Sequence, residues 1–303
     1  MRLIVLGSGA GGGIPQWNAN NAGSSRAFRG ERASPRRTQA SVAVSANGTD
    51  WLLVNASPDL RQQIIATRTL HPQGSAKRHS PIKAVVLTGA DIDQIAGLLT
   101  MRERQAFALH ATARVHETLR ANAVFNVLAD DVVARHAIAV GTPFSPLPGL
   151  AVTARTVPGK VALYLEKTDE PGLGSAPEDT IALTIEEPAT GKRVLFAPSC
   201  ARIDDAVRGL ADGADAMLFD GTLFTDDEMI ASGEGAKTSR RMGHAPVTGD
   251  GGSLDAFQGV AIRRKLYIHI NNTNPMAATD SAEHARVRAA GWEIAEDGME
   301  IVL

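Results

Sequence analysis

Four short runs of apolar residues, each cut off by a cluster of polar groups, constrain this chain more than any other feature. Residues 2–6 (RLIVL) stop at Gly7, and 83–87 (KAVVL) at Thr88-Gly89-Ala90-Asp91. Residues 216–219 (AMLF) stop at Asp220, and 265–270 (KLYIHI) at Asn271-Asn272-Thr273-Asn274. Continuous apolar runs of this length, without alternation, read as strands buried on both faces. Polar groups at the ends of such strands converge on one rim of a layered fold, where sites on a rigid scaffold usually lie.

The segments between them fill in the layers. Residues 41–45 (SVAVS) and 51–54 (WLLV) flank Asn47-Gly48, a hairpin signal because Asn-Gly suits a turn with positive φ. Ser57-Pro58-Asp59 should cap a helix running to about Thr67, with a side-chain oxygen on the early amides. Ile95, Leu98, Leu99 and Met101 suggest a helix after Asp91. Residues 107–110 read as a strand and 113–128 as an amphipathic helix. Residues 150–167 and 180–197 read as two pairs of strands, the second turning at Thr190-Gly191. Helices are expected at 203–211 and 281–290, and a closing hairpin at 292–303 around Asp297-Gly298. Strands followed by strand–helix units, then the same order again, suit an α/β sandwich of two mixed sheets with outer helices, in one domain over 1–303.

With 303 residues the chain buries a large core, and a formal charge of -2 gives no sign of nucleic-acid binding. No apolar run is long enough to span a bilayer, and MRLIVLGSGAGGG reads as strand and loop rather than a signal peptide. The single cysteine, Cys200, forbids an internal disulfide, and the cytoplasm is the expected compartment.

Several candidate sites follow. Gly7, Gly9 and Gly12 spell G-x-G-x-x-G after a strand, but Pro15 and a polar run stand where a dinucleotide-binding fold needs a helix. The long stretch 7–37 is therefore expected to be a loop, whose glycines let backbone approach a ligand. Asp91, Asp93 and Gln94 offer oxygen ligands for a hard or borderline cation, though carboxylates at a helix start need no metal. His269 stands on an otherwise apolar strand beside an amide-rich turn. Asp220 ends an apolar strand, and His244 lies in RMGHAPV. His71, His79, His110, His116, His136 and His284 lack acidic neighbours at ligand spacing and read as surface or filler.

The segments GSGAGGGIPQWN, WLLVNASPDLRQQI, HSPIKAVVLT, VPGKVALYLE, LFDGTLFTDDEM, RMGH and HINNTNP, spread from Met1 to Leu303, resemble the pyrroloquinoline quinone biosynthesis protein B family. The resemblance implies a metallo-β-lactamase-like αββα sandwich and a homodimer. It also implies an Fe(II)- and oxygen-dependent enzyme that hydroxylates the tyrosine ring of a Glu-Tyr unit, so the expected partner is a peptide-derived substrate or quinone precursor. The superfamily motif T-H-x-H-x-D-H, then two residues and Gly, aligns with 88–94 and Gly97. Gly89, Asp91 and Gln94 stand where histidines would, while Asp93 is kept. The superfamily's later His falls near Lys160, its bridging Asp near Cys200 and its final His at His269. Family members carry zinc-binding cysteines after PQWN; here Ala19 to Ser24 hold none, so no structural zinc is expected in that loop.

Asp91, Asp93, Gln94 and His269 are thus the expected metal ligands, for Fe(II) first and for zinc or another divalent ion second. Asp220 and His244 are expected to orient ligands or move protons. Asn271, Thr273, Asn274 and Lys160 are expected to bind substrate. A non-catalytic carrier of the quinone or its precursor, and a metal-dependent hydrolase, remain alternatives. An amide at 94 and an ammonium at 160 predict weaker metal binding than in a fully histidine-equipped site.

Overall fold

The computed structural model describes residues 1–166 and 176–303. In chain order the strands are β1 (Arg2–Gly7), β2 (Ser41–Ser45), β3 (Trp51–Val54), β4 (Ile82–Val86), β5 (Phe107–Ala111), β6 (Val133–Ala137) and β7 (Pro143–Phe144). They continue with β8 (Ala151–Thr156), β9 (Ile181–Glu187), β10 (Lys192–Ala197), β11 (Ala216–Asp220), β12 (Lys265–Ile268), β13 (Trp292–Ile294) and β14 (Glu300–Val302). They form two seven-stranded mixed sheets, ordered β14-β1-β2-β3-β4-β5-β6 and β13-β12-β11-β10-β9-β8-β7. Each sheet places antiparallel pairs beside parallel ones: β1–β3 lead into parallel β4–β6, and β8–β10 into parallel β11–β13.

The sheets face each other across a core that includes Leu3, Val42, Leu52, Val86, Leu183, Phe196, Leu218 and Ile268. The reverse face of the first sheet buries Leu53, Val85 and Leu109 against Leu60, Leu98, Val115 and Leu119 from its helices. The reverse face of the second buries Phe219 and Tyr267 against Val207, Phe257 and Val287. Strands β3, β4, β10, β11 and β12 are covered on both faces, which is why their sequences lack alternation.

Five local expectations need correction. The hairpin at 292–303 does not form, because β13 joins the second sheet beside β12 while β14 crosses to the first beside β1. The crossing turn is fixed by Asp297, whose carboxylate accepts from Ser8 N (2.9 Å), Ser8 Oγ (2.8 Å), Thr38 N (2.7 Å) and Thr38 Oγ1 (2.7 Å). Within 150–167 only β8 is a strand, paired with β7 before it; a short 3-10 turn at Leu163–Leu165 follows, and Lys167 lies outside the described residues. The helix expected over 113–128 ends at Ala121, where Asn122 leaves helical geometry and its side chain donates to Thr118 O at 2.8 Å. The stretch 7–37 contains a helix, Ala22–Phe28, capped by Asn21 Oδ1 on Ser24 N at 2.8 Å. Helix Leu60–Ala66 has no side-chain cap. Asp59 instead accepts from Gln39 N at 2.9 Å, the Ser57 hydroxyl turns to Gln63, and Leu60 N is met by the Ser57 carbonyl at 2.9 Å.

Candidate metal centre

The rim foreseen at the strand ends exists. A cavity of about 550 Å³ is lined by Asp91, Asp93, Gln94, Lys160, Leu163, Thr222, Met229, Lys237, His244, His269 and Asn271, with Ala10 and Gly11 at its edge. Both sheets contribute to it.

The second sheet supplies a knitted cluster. β11 ends at Asp220, fully buried, whose Oδ2 accepts from Cys200 N at 2.9 Å and meets His244 Nδ1 at 2.7 Å. Its Oδ1 takes the Thr222 hydroxyl at 2.6 Å and the Thr222 amide at 3.1 Å. Thr222 Oγ1 also lies 3.0 Å from His244 Nδ1 and 2.8 Å from His269 Nδ1, and the two imidazoles stack with centroids 5.2 Å apart. His269 follows β12 with φ 62°, the left-handed region that residues with a Cβ avoid. Strain of that kind concentrates at functional sites. One ligand atom each from Asp220, His244 and His269 fits within 4.8 Å of the others.

The first sheet supplies a looser edge. Asn55 anchors it, donating through Nδ2 to Thr88 Oγ1 (2.9 Å) and accepting from Thr88 N (2.9 Å). Asp93 Oδ2 reaches His269 Nε2 at 2.9 Å, the one direct contact between the two edges' carboxylates and imidazoles. Asp91 Oδ1 accepts from Leu163 N at 3.1 Å, and the Tyr164 hydroxyl donates to Ala90 O at 2.8 Å. Gln94 is buried and its Oε1 has no hydrogen-bond partner among the described residues. A Cβ at Gly89 would stand 2.5 Å from that same oxygen, so a side chain at 89 and the present Gln94 rotamer exclude each other.

The electrostatics follow from this packing. Burial lowers the basicity of His269, but the hydrogen bond to Asp93 and the charges of Asp93, Asp220 and Asp91 outweigh it, and its pKa is raised. Burial alone would raise the Asp93 carboxyl; the bond to His269 outweighs it and holds it below its ordinary value. Burial, then repulsion from Asp93, pushes Asp91 up. The raised His269 and the lowered Asp93 both favour sharing a proton as imidazolium and carboxylate. Imidazole nitrogens, carboxylates and a spare buried amide oxygen form a donor set that a borderline divalent cation fits, taking the place of that proton.

Of the expected site residues, Asp91, Asp93, Gln94, Lys160, Asp220, His244, His269 and Asn271 gather around this cavity. Thr273 and Asn274 do not line it. Asn274 is buried, donating to Gly221 O at 2.9 Å and capping the turn Pro275–Ala277, and Thr273 turns to Glu228. Cys200 holds Asp220 through its amide alone; its thiol, packed in the core and pushed up in pKa by burial, meets Arg202 O at 3.1 Å. The carboxylate beside the two imidazoles therefore comes from Asp220. Lys160 gives its charge to Glu166 at 3.0 Å, which Lys237 also binds at 2.8 Å. The glycines of 7–13 serve the chain more than a ligand: a Cβ at Gly7 would meet Gln39 O at 2.2 Å, and one at Gly13 Arg37 O at 2.8 Å. Thr222, Glu166 and Lys237 escaped sequence reading. Only Thr222 left a trace, as the last residue of the polar group ending β11.

The Beta-lactamase superfamily domain model matches residues 50–270. Coenzyme PQQ synthesis protein B of Methylobacterium sp. (strain 4-46) is 50% identical over 303 residues, all of both chains. The chain belongs to the coenzyme PQQ synthesis protein B family. Its namesake in Xanthomonas campestris pv. campestris (strain B100) is also 50% identical over 304 residues, covering 100% of each chain. The crystal structure of Zn(2+)-bound PqqB from Methylobacterium extorquens superposes with a TM-score of 0.97 at 48% identity, covering 100% of each chain. A diphosphatase from the PhnP family shares the fold, with a TM-score of 0.70 at 20% identity over 99% of this chain and 97% of that one. Within the PQQ synthesis protein B family, this chain's rim thus combines a knitted second-sheet cluster with an amide at position 94. Among the described residues no helix is long and apolar enough to cross a membrane.

Proposed function

We propose that this protein acts in PQQ synthesis as an Fe(II)-dependent hydroxylase of the tyrosine ring in a Glu-Tyr-derived substrate. The observation that carries the reading is the 2.9 Å contact joining Asp93 to His269, which extends the cluster of Asp220, His244 and His269 across the rim at the wall of a 550 Å³ cavity. Asp93, His269, His244 and Asp220 would hold the ion, with Gln94 Oε1 able to join them. Iron bound there would supply activation of dioxygen, of which one atom would enter the ring while an external two-electron reductant carries the other to water. His244, engaged through Nδ1 with Asp220 and lining the cavity, would orient that carboxylate beside the ion. Asp91, which lines the cavity and is held up in pKa, would exchange a proton with the substrate. Lys160 and Lys237, both at the cavity, share the single carboxylate of Glu166, and the net positive charge left on the pair would attract the substrate's carboxylates.

The test is oxygen uptake by protein loaded anaerobically with Fe(II) and mixed with a Glu-Tyr peptide and ascorbate as the two-electron donor. Uptake coupled to gain of one oxygen by the tyrosine supports the proposal. Tight iron and peptide binding without uptake replaces it with the carrier reading, which the pair of lysines also favours.

A further inference from the structure

Asn271 lines the cavity one turn of loop beyond His269, and its amide is held on one side only. Nδ2 donates to Thr273 Oγ1 at 2.7 Å and approaches the Met229 sulfur at 3.4 Å, while no group among the described residues donates to Oδ1. The orientation is forced from behind. Thr273 Oγ1 lies 2.5 Å from Glu228 Oε1, and Glu228 Oε2 accepts the Phe224 amide at 2.6 Å. With Glu228 ionised its carboxylate only accepts, so the Thr273 proton goes to Glu228. Thr273 Oγ1 is then left as an acceptor, and Asn271 must answer with its NH2.

We infer that Glu228, acting through Thr273, is a positioning residue that locks Asn271 with its carbonyl oxygen toward the cavity, so that the site selects substrates presenting an ammonium or amine N–H there. The inference rests on the proposed Glu-Tyr substrate and adds its orientation: the free amino group faces Asn271, and the carboxylates face Lys160 and Lys237. Burial, with the nearby Glu234 charge, outweighs the bonds from Thr273, Phe224 and Thr225 and raises the Glu228 pKa to about 7. The lock is defined with Glu228 as the carboxylate, so binding is measured at mildly alkaline pH.

Glu228→Gln inverts the relay. Its Oε1 must accept from Phe224 N, so its NH2 faces Thr273, the hydroxyl turns to Asn271, and the Asn271 amide flips. Two readouts separate the ideas in Zn(II)-loaded protein. The first is a nuclear Overhauser contact from the Asn271 side-chain amide protons to the Thr273 and Met229 methyls, expected in the parent and lost in Glu228→Gln. The second is calorimetric affinity for Glu-Tyr against glutaryl-Tyr, in which hydrogen replaces the amino group. The parent should prefer Glu-Tyr by about ten-fold, as expected for a buried polar pairing. Glu228→Gln should erase or reverse that preference, and Thr273→Val, which cuts the relay without adding volume, should bring it near unity. Missing amide contacts in the parent overturn the lock. Equal binding of both dipeptides overturns the selection alone. Binding of neither overturns the Glu-Tyr reading, and the selection with it, while the amide contacts still judge the lock.

Discussion

The two rims that meet at the cavity are built on opposite plans. The second-sheet rim is knitted around Thr222, whose hydroxyl touches Asp220, His244 and His269 at once. The first-sheet rim has a glycine at 89, an amide oxygen at 94 without a partner among the described residues, and one carboxylate, Asp93, that reaches across. Ligand geometry held by neighbouring hydrogen bonds survives the loss of any single donor better than geometry held by one contact. Metal affinity should therefore lie mostly with the second sheet, and the first sheet should tune it.

The sharpest way to break this comparison is His269→Ala. It removes the one imidazole that both rims share, and affinity for Zn(II) or Fe(II) should fall at least ~100-fold in anaerobic titration. A fall no larger than that of Asp91→Ala would mean that the first rim holds the ion and the assignment is inverted. Next in size is Gln94→His, which restores an imidazole to the poorer rim. Affinity should rise about ten-fold, since an imidazole nitrogen outbids an amide oxygen for these ions. The Gln94 Oε1 has no partner to lose, so the gain should carry little cost in stability. Unchanged binding would place residue 94 outside the ion's reach.

The sequence disclosed the strand ends and hid what joins them. RLIVL, KAVVL and AMLF announced buried strands because burial on both faces erases alternation, and the polar residues after them marked the rim. Asp220, His244 and His269 lie far apart in the chain, and nothing local says that a threonine two residues after Asp220 ties them together. The closing segment misled for a similar reason: Asp297-Gly298 is good turn chemistry, but Asp297 spends its carboxylate on Ser8 and Thr38, a partnership across nearly the whole chain that sends β14 to the other sheet. Lys160 looked like a charge opposing a metal; Glu166, six residues on, takes that charge.

The smallest expected effect sharpens the comparison from the other side, because the first sheet does own histidines and uses them for packing. His110 on β5 stacks on His136 (4.9 Å) and on Phe144 of the second sheet (5.0 Å), and its Nε2 is buried without a partner among the described residues. Burial, followed by repulsion from His136 and His116, lowers its pKa from 6.5 to about 4. His269 is displaced upward instead, by carboxylates. The linkage signs are therefore opposite. A raised histidine contributes stability that is complete below its unfolded pKa and is lost as pH rises through the folded one. His110 is lowered, so between pH 6.5 and about 4 the unfolded chain binds the proton that the folded chain refuses, and stability falls as pH falls across that window. His110→Phe keeps the stack and removes the proton. Denaturant unfolding of metal-free protein should show the parent losing about 1 kcal/mol more than the variant between pH 7 and 5, after allowance for water reaching part of the ring. Metal affinity should not change. Parallel stability curves would mean that the His110 ring is protonated as readily in the fold as outside it, and the contrast between packing and ligating histidines would then be lost.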